Sequence, residues 1–311
     1  MALLDALRAC TSFTPPPAMP ECDLAVLADV LEAHGLAPLA SYQVEHTRLG
    51  AGLPAGFRER LLGNYQGVAN DTMLKFVTLR GMLKDVAAGA PDVQVVLLDA
   101  AAYVDWLYPH LAFRPVGELR LAVRGRDGAA FAQAIAGAGW KVARTEHEGR
   151  VAVLSDGRLS VTLQEGLWAG GREDEALYAR ATPTPVFGPR AGRPAPEEAL
   201  LATVADQAEL GLLAPLLTYV DLRELVRLAP DPAHVKARAE ALGLSRALRG
   251  ALEIAAWFFP EIAEGAALLA PGLGAAERVA VERLVEAAKD PTRLRLVRGV
   301  DALARRVVAP G

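Results

Sequence analysis

The chain opens with apolar residues at helical spacing. Leu24, Leu27 and Leu31 form one stripe that stops near Gly35, so 24–34 is expected as a helix. Phe57 to Leu62 and Asp71 to Ala88 follow. In the latter, Leu74, Val77, Met82 and Val86 keep roughly helical spacing, and Gly89-Ala90-Pro91 supplies the stop. The texture then changes. Val93 to Leu98 is a short β-branched run of the buried-strand type, and Ala100 to Tyr108 reads as a short helix before Pro109. Leu119 to Val123 is a second strand, Gly128 to Gly139 a helix and Lys141 to Thr145 a third strand. Val151 to Ser155 and Leu159 to Leu163 flank Asp156-Gly157, which predicts a hairpin.

Thr182 to Pro196 is rich in Pro and Gly and is expected as a linker. Helical patterning returns from Glu197, with stripes at Leu200, Leu201, Val204 and Ala208, and at Val281, Leu284, Val285 and Ala288. The expected organisation is a helical region over 1–90, an α/β core over 91–181, a linker over 182–196 and a helical bundle over 197–311. That is an α+β protein.

Composition narrows the function. With 33 Lys+Arg against 37 Asp+Glu in 311 residues, the net charge is -4, against the excess cation of a nucleic-acid-coating protein. Mean hydropathy is high, +0.21, which raises the membrane question. The longest apolar stretches, Leu210 to Val220 and Ala266 to Ala276, fall short of the ~20 residues a span needs. The N-terminus carries Asp5, Arg8 and a run of prolines, unlike a signal peptide. No membrane association is expected. Cys10 and Cys22 cannot make a zinc site alone and read as free thiols in a reducing cytoplasm. The five histidines stand in no tight metal-binding pair.

The informative stretch runs Val95-Val96-Leu97-Leu98-Asp99-Ala100, then Leu107-Tyr108-Pro109, then Arg114-Pro115-Val116-Gly117-Glu118-Leu119-Arg120-Leu121-Ala122-Val123. Phe131 to Trp140 closes on Gly-Ala-Gly-Trp, Val161-Thr162-Leu163-Gln164 follows, and Leu217 to Leu222 reads Leu-Thr-Tyr-Val-Asp-Leu. In order and spacing this resembles an uncharacterised bacterial family of nucleotidyltransferases with the DNA-polymerase-β type of fold. Its members read LLKG, LYP, RPxGDxDLLV, LGY, DLHW and WLVDL. The resemblance covers about 70–259 and implies a nucleotidyltransferase-like mixed sheet with helices, flanked by N-terminal helices and a C-terminal bundle. It also implies Mg²⁺ ions that clamp a nucleoside triphosphate on carboxylates while an oxygen nucleophile attacks in line. Two of these carboxylates come from one strand at i and i+2, and a third from a neighbouring strand.

This chain departs at those points. The first position is Glu118, the second is the cation Arg120, the third is the neutral Thr162, and Gln164 stands for the family histidine. Asp99 and Ala100 replace the Lys-Gly after the first strand, whereas Arg114 and Gly117 are retained. At 4 Å and an effective dielectric of 20, a divalent ion beside Arg120 meets about 8 kcal/mol of repulsion. Two readings follow. In the preferred one the fold is catalytically degenerate, binds no metal, and serves as a binding or regulatory component of a biosynthetic assembly with a protein partner. Arg114, Gly117 and Glu118 are then candidates for holding a nucleotide or other small molecule, and Arg120 pairs with Asp99 or Glu118 in the space of the lost metal. A plainer alternative has Arg120 snorkel to solvent. In the second reading the enzyme is active, with Mg²⁺, a nucleoside triphosphate and a rewired site of Asp99, Glu118 and Glu165.

Weaker candidates are Gly170-Gly171 as a phosphate cradle, and Ser155, Asp156 and His147 as hydrolytic groups. Arg293, Arg295, Arg298, Arg305 and Arg306 form a basic C-terminus, read as a solvated helix face. Trp257-Phe258-Phe259 is expected in packing, and Leu212 to Leu217 at an interface.

Overall fold

A computed structural model describes residues 2–104, 106–169, 171–290 and 306–309. Four helices come first: α1 (Ala2–Thr11), α2 (Leu24–Ala33), α3 (Ala37–His46) and α4 (Ala55–Gly89). The mixed region follows as β1 (Val95–Leu98), α5 (Asp99–Tyr103), β2 (Leu119–Ala122), α6 (Gly128–Ala136), β3 (Lys141–Glu146), β4 (Val151–Ser155), β5 (Ser160–Gln164), α7 (Glu175–Ala179), β6 (Thr182–Pro183) and β7 (Ala191–Arg193). The rest is helical: α8 (Pro196–Glu209), α9 (Leu216–Arg227), α10 (Pro232–Ala241), α11 (Ser245–Phe258), α12 (Ala263–Leu269) and α13 (Ala275–Ala288). The architecture is α+β, as the sequence pattern indicates.

The chain divides into two compact units that do not follow chain order. A helical unit comprises 1–69, 107–115 and 203–311, and a sheet unit comprises 70–106 and 116–202. The sheet has the strand order β3-β4-β5-β2-β1-β7-β6. β1 runs antiparallel to β2 and parallel to β7, while β2 runs parallel to β5. Every residue of β1 and β2 is buried, as expected for strands covered on both faces. The edge strand β3 is exposed throughout, carries Lys141, Arg144 and Glu146, and has a register shift between Val142 and Arg144. Charge and irregularity protect that edge from pairing with another chain.

The Asp156-Gly157 hairpin forms between β4 and β5. The Asp156 carboxylate accepts from the amides of Arg158 and Leu159, each at 2.8 Å, and Gly157 takes φ +87°. Those amides, Leu159 first, hold the Asp156 carboxyl below the usual carboxylate range. This is turn chemistry, and it accounts for Asp156 without a hydrolytic role.

Three expectations about secondary structure require correction. The two helices expected over 57–62 and 71–88 are one helix, α4, that runs through Gly63 and Gly67. Each glycine costs about 1 kcal/mol relative to alanine, but continuing a formed helix avoids the cost of a new nucleus. The helix expected over 100–108 stops at Tyr103. Residues 182–196, expected as a linker, instead supply β6 and β7, which extend the sheet beside β1. Backbone pairing there outweighs the loop-like composition.

In the helical unit, Leu212, Ala214, Leu216 and Leu217 are buried, so the stretch expected at an interface is core. Phe258 and Phe259 are buried as well, with Phe258 packing on Tyr219 (6.2 Å between ring centres) and on Trp257 (4.8 Å). Among the described residues no helix is long and apolar enough to cross a membrane. Gly170, Arg293, Arg295, Arg298 and Arg305 lie outside the described residues.

Cys10 and Cys22 are free thiols, and Cys10 is fully buried on α1. Burial, with Cys22 adding a smaller effect, raises the Cys10 thiol from 9.0 to about 12. The folded chain therefore retains a proton that the unfolded chain releases. That contribution to stability is complete below pH 9 and is lost as pH rises toward 12. Between those values the native chain should lose stability more steeply than Cys10→Ala, by about 1 kcal/mol per pH unit. Denaturant unfolding at stepped pH measures the difference between the two slopes.

Candidate functional site

The sheet register brings the expected site residues onto one face. Leu98 pairs with Arg120, Arg120 with Thr162, and Ala122 with Gln164. Alternation along a strand places Arg120 and Ala122 on one side of β2, and Thr162 and Gln164 on the same side of β5. Glu118 precedes β2 by one residue and shares that side. Asp99 follows β1 directly, with φ +49°, a left-handed conformation that Asp tolerates better than most residues.

The side chains on this face are joined to one another. The Thr162 hydroxyl donates to the Glu118 carboxylate. Arg120 is buried, with 8% exposure, and its Nε and Nη2 both approach the Gln164 side-chain oxygen at 3.4 Å. The Gln164 amide nitrogen donates to the Gly166 carbonyl at 2.8 Å. Arg120 therefore does not snorkel to solvent. It is a buried cation at the position where the resemblance described above implies a second carboxylate.

A support that the sequence reading did not single out comes from α4. The Lys75 ammonium bonds Asp71 at 2.7 Å, one helical turn away, and also the carbonyls of Val116 and of Gly117, the latter at 3.3 Å. This holds the backbone immediately before Glu118. The i, i+4 spacing of Asp71 and Lys75 is legible in sequence, but their carbonyl partners 41 and 42 residues away are not. Gly117 is exposed, with open space where a side chain would stand, so its smallness is not demanded by packing.

Glu165 follows β5 but turns away from this face. Its Oε1 lies 2.8 Å from where a Cβ would sit on Gly125, and its carbonyl accepts from the Tyr178 hydroxyl at 2.8 Å. Nearby, Arg124 makes a fork to Glu175 at 2.9 and 2.7 Å, reaches Gln94 at 3.0 Å, and stacks 4.3 Å above the Tyr178 ring. Among the described residues no three His, Cys, Asp or Glu side chains converge as a metal ion would need, and Asp99, Glu118 and Glu165 are no exception. The residues present do not fit the Mg²⁺ pair that the family chemistry implies. Arg120 brings positive charge, Thr162 is neutral, and Glu118 already accepts from Thr162.

Arg114 has a different setting. In the helical unit its guanidinium forks onto Asp221, with Nη2 to Oδ2 at 2.8 Å and Nε to Oδ2 and Oδ1 at 3.1 and 3.2 Å. Nη1 donates to the Pro115 carbonyl at 2.7 Å, and the Tyr108 hydroxyl donates to Asp221 Oδ1 at 2.5 Å. All three side chains are buried. Burial first, and the Asp221 charge second, push the Tyr108 hydroxyl well above its usual range. Three separated sequence motifs thus meet as one buried ion pair with a tyrosine bound to it. The ligand-binding expectation for Arg114 did not include this structural role.

The model of an uncharacterised nucleotidyltransferase family matches residues 20–260. The chain belongs to that family. No curated protein and no solved structure matches it. The family assignment agrees with the mixed sheet and the α+β architecture.

Breaking a buried ion pair by removing one partner costs about 3–5 kcal/mol, because the other charge stays buried. Asp221→Asn should fall in that range. Tyr108→Phe should cost less, about 1–3 kcal/mol, because Arg114 still neutralises Asp221. Denaturant midpoints of the two variants give the order, and equal losses would contradict this account of the network.

Proposed function

We propose that this family member has exchanged metal-dependent nucleotide transfer for recognition, and acts as a binding or regulatory component of a biosynthetic assembly. The observation that carries the reading is the buried Arg120 beside Thr162, on the face where the family chemistry calls for converging carboxylates. A divalent ion placed 4 Å from that guanidinium meets about 8 kcal/mol of repulsion at an effective dielectric of 20. At 1.4 kcal/mol per factor of ten, this removes about five decades of metal affinity. The Thr162–Glu118 and Arg120–Gln164 hydrogen bonds satisfy on this face the polar groups that a cation and its ligands would otherwise satisfy. A sheet that keeps its register without its ligand set still presents a shaped polar surface, which suits a protein partner or a small molecule.

The alternative is an active nucleotidyltransferase, moving a nucleoside monophosphate to an acceptor through a rewired site. One observation favours it: Glu118 keeps an exposed carboxylate at the first family position.

The test is a thermal-shift titration with ATP, GTP, CTP and UTP, each with and without Mg²⁺, together with a labelled-nucleotide transfer assay. The expected result is no Mg²⁺-dependent stabilisation and no transfer. The double variant Arg120→Asp, Thr162→Asp, which restores carboxylates at both positions, should gain Mg²⁺-dependent stabilisation. Mg²⁺-dependent stabilisation of the native chain, with label transfer abolished by Glu118→Ala, would establish the alternative.

A further inference from the structure

The long helix α4 carries a seam that the rest of the chain does not cover. From Gly56 to Lys84, residues at alternating steps of three and four are all exposed. Such steps keep to one side of a helix, here along about 40 Å of its length. The opposite side is core, where Leu61, Leu79, Met82 and Val86 are buried.

In the middle of the seam the exposed side chains are apolar. Met73, Leu74 and Val77 are 52%, 67% and 63% exposed, and their helical spacing makes them one patch. Leu74 and Val77 belong to the stripe that gives the helix its period in sequence, but they face outward while Met82 and Val86 face the core. Toward the N-terminus, Gly63 and Gly67 have open space where a side chain would stand. Glycine weakens a helix relative to alanine, and no packing among the described residues demands it at these positions. A bare backbone lets another element approach closely.

The charges on the seam are segregated. Glu59 lies near its N-terminal end, and Arg80 and Lys84 lie near its C-terminal end. None of these three makes an ion pair among the described residues, whereas Arg58, Arg60 and Lys75 of the same helix are all bonded to carboxylates. A seam with opposite charges at its two ends complements itself when reversed. Two copies laid antiparallel about the point between Asp71 and Thr72 set Glu59 of each against Lys84 of the other. Parallel pairing would bring like charges together. In the antiparallel register the apolar turn from Met73 to Val77 of one copy crosses residues 66–70 of the other, where Gly67 leaves room for Leu74.

We propose that the exposed seam of α4 is a homodimerisation surface, on which α4 of a second copy of this chain docks antiparallel about a two-fold axis. The Met73–Leu74–Val77 patch supplies the apolar centre, and the two Glu59–Lys84 pairs fix direction and register. A strip about 40 Å long and about 10 Å wide lies at the low end of specific interfaces, so the dimer is expected to dissociate in the micromolar range. The proposal stands apart from the reading of the Glu118 face, because it uses no residue of β2 or β5.

Sedimentation velocity of the full chain, over concentrations from about 1 to about 100 μM, tests this. A concentration-dependent equilibrium between monomer and dimer is expected. Leu74→Glu should abolish the dimer by placing a charge in the apolar centre. Glu59→Lys and Lys84→Glu each put like charges together at both ends, and each should weaken association about tenfold. Combined in one chain, the two reversals restore opposite charges in the antiparallel register and should return association to the native level, whereas a parallel pair would gain nothing from them. All three side chains are exposed, so the variants are expected to fold, and thermal unfolding curves verify it. The proposal is overturned by a chain that stays monomeric throughout, which would leave the seam to a different partner, by a dimer indifferent to Leu74→Glu, or by a double reversal that associates no better than the single ones.

Discussion

Asp221 is a carboxylate with no access to water, and the helical unit is organised around keeping it neutralised. Arg114 forks onto it and Tyr108 donates to its other oxygen. A buried ion pair contributes little net stability over an apolar pair of the same shape, but it tolerates no loss of either partner. The constraint is therefore one of specificity. The short segment 107–115 carries two of the three groups, so it must meet α9 in one register. This explains why nine residues from the middle of the chain belong to the helical unit although strands precede and follow them.

On the sheet, a different rule governs. Strand periodicity fixes which residues share a face, and the parallel pairing of β2 with β5 sets Arg120 opposite Thr162. Once that register is set, chemistry follows from residue type. Asp at the second and third positions would make the face anionic and hungry for cations. Arg and Thr there make a face whose polar groups bond to each other, through Glu118 at one end and Gln164 at the other. Lys75 reinforces the arrangement from α4 by holding the backbone on which Glu118 depends.

The elements whose identity was clear in the sequence are those where local signals agree. The Asp156-Gly157 hairpin, β1, β2 and the helix ending near Gly139 combine a consistent period with turn residues at the expected ends. The misread elements are those where a local signal competes with a non-local interaction. Gly63 and Gly67 look like breaks but lie inside a helix already formed on both sides. Pro and Gly in 182–196 look like a linker, yet Ala191 and Gly192 pair with Val95 and Val96. The apolar run at Leu212 to Leu217 carries no mark that distinguishes a surface from a core.

The candidate site divides in the same way. That Glu118, Arg120, Thr162 and Gln164 share a face follows from alternation along two strands, and the charge each brings is readable from residue types alone. Family membership also rests on linear order and spacing. Only the tertiary structure decided that Arg120 is buried, that Arg114 belongs to Asp221, that Lys75 reaches Gly117, and that Arg223 is fully buried. Each of these depends on side chains tens to more than a hundred residues apart, or on the burial of a charge. Sequence periodicity records the direction a side chain takes from its own backbone, but not what the fold places at its end.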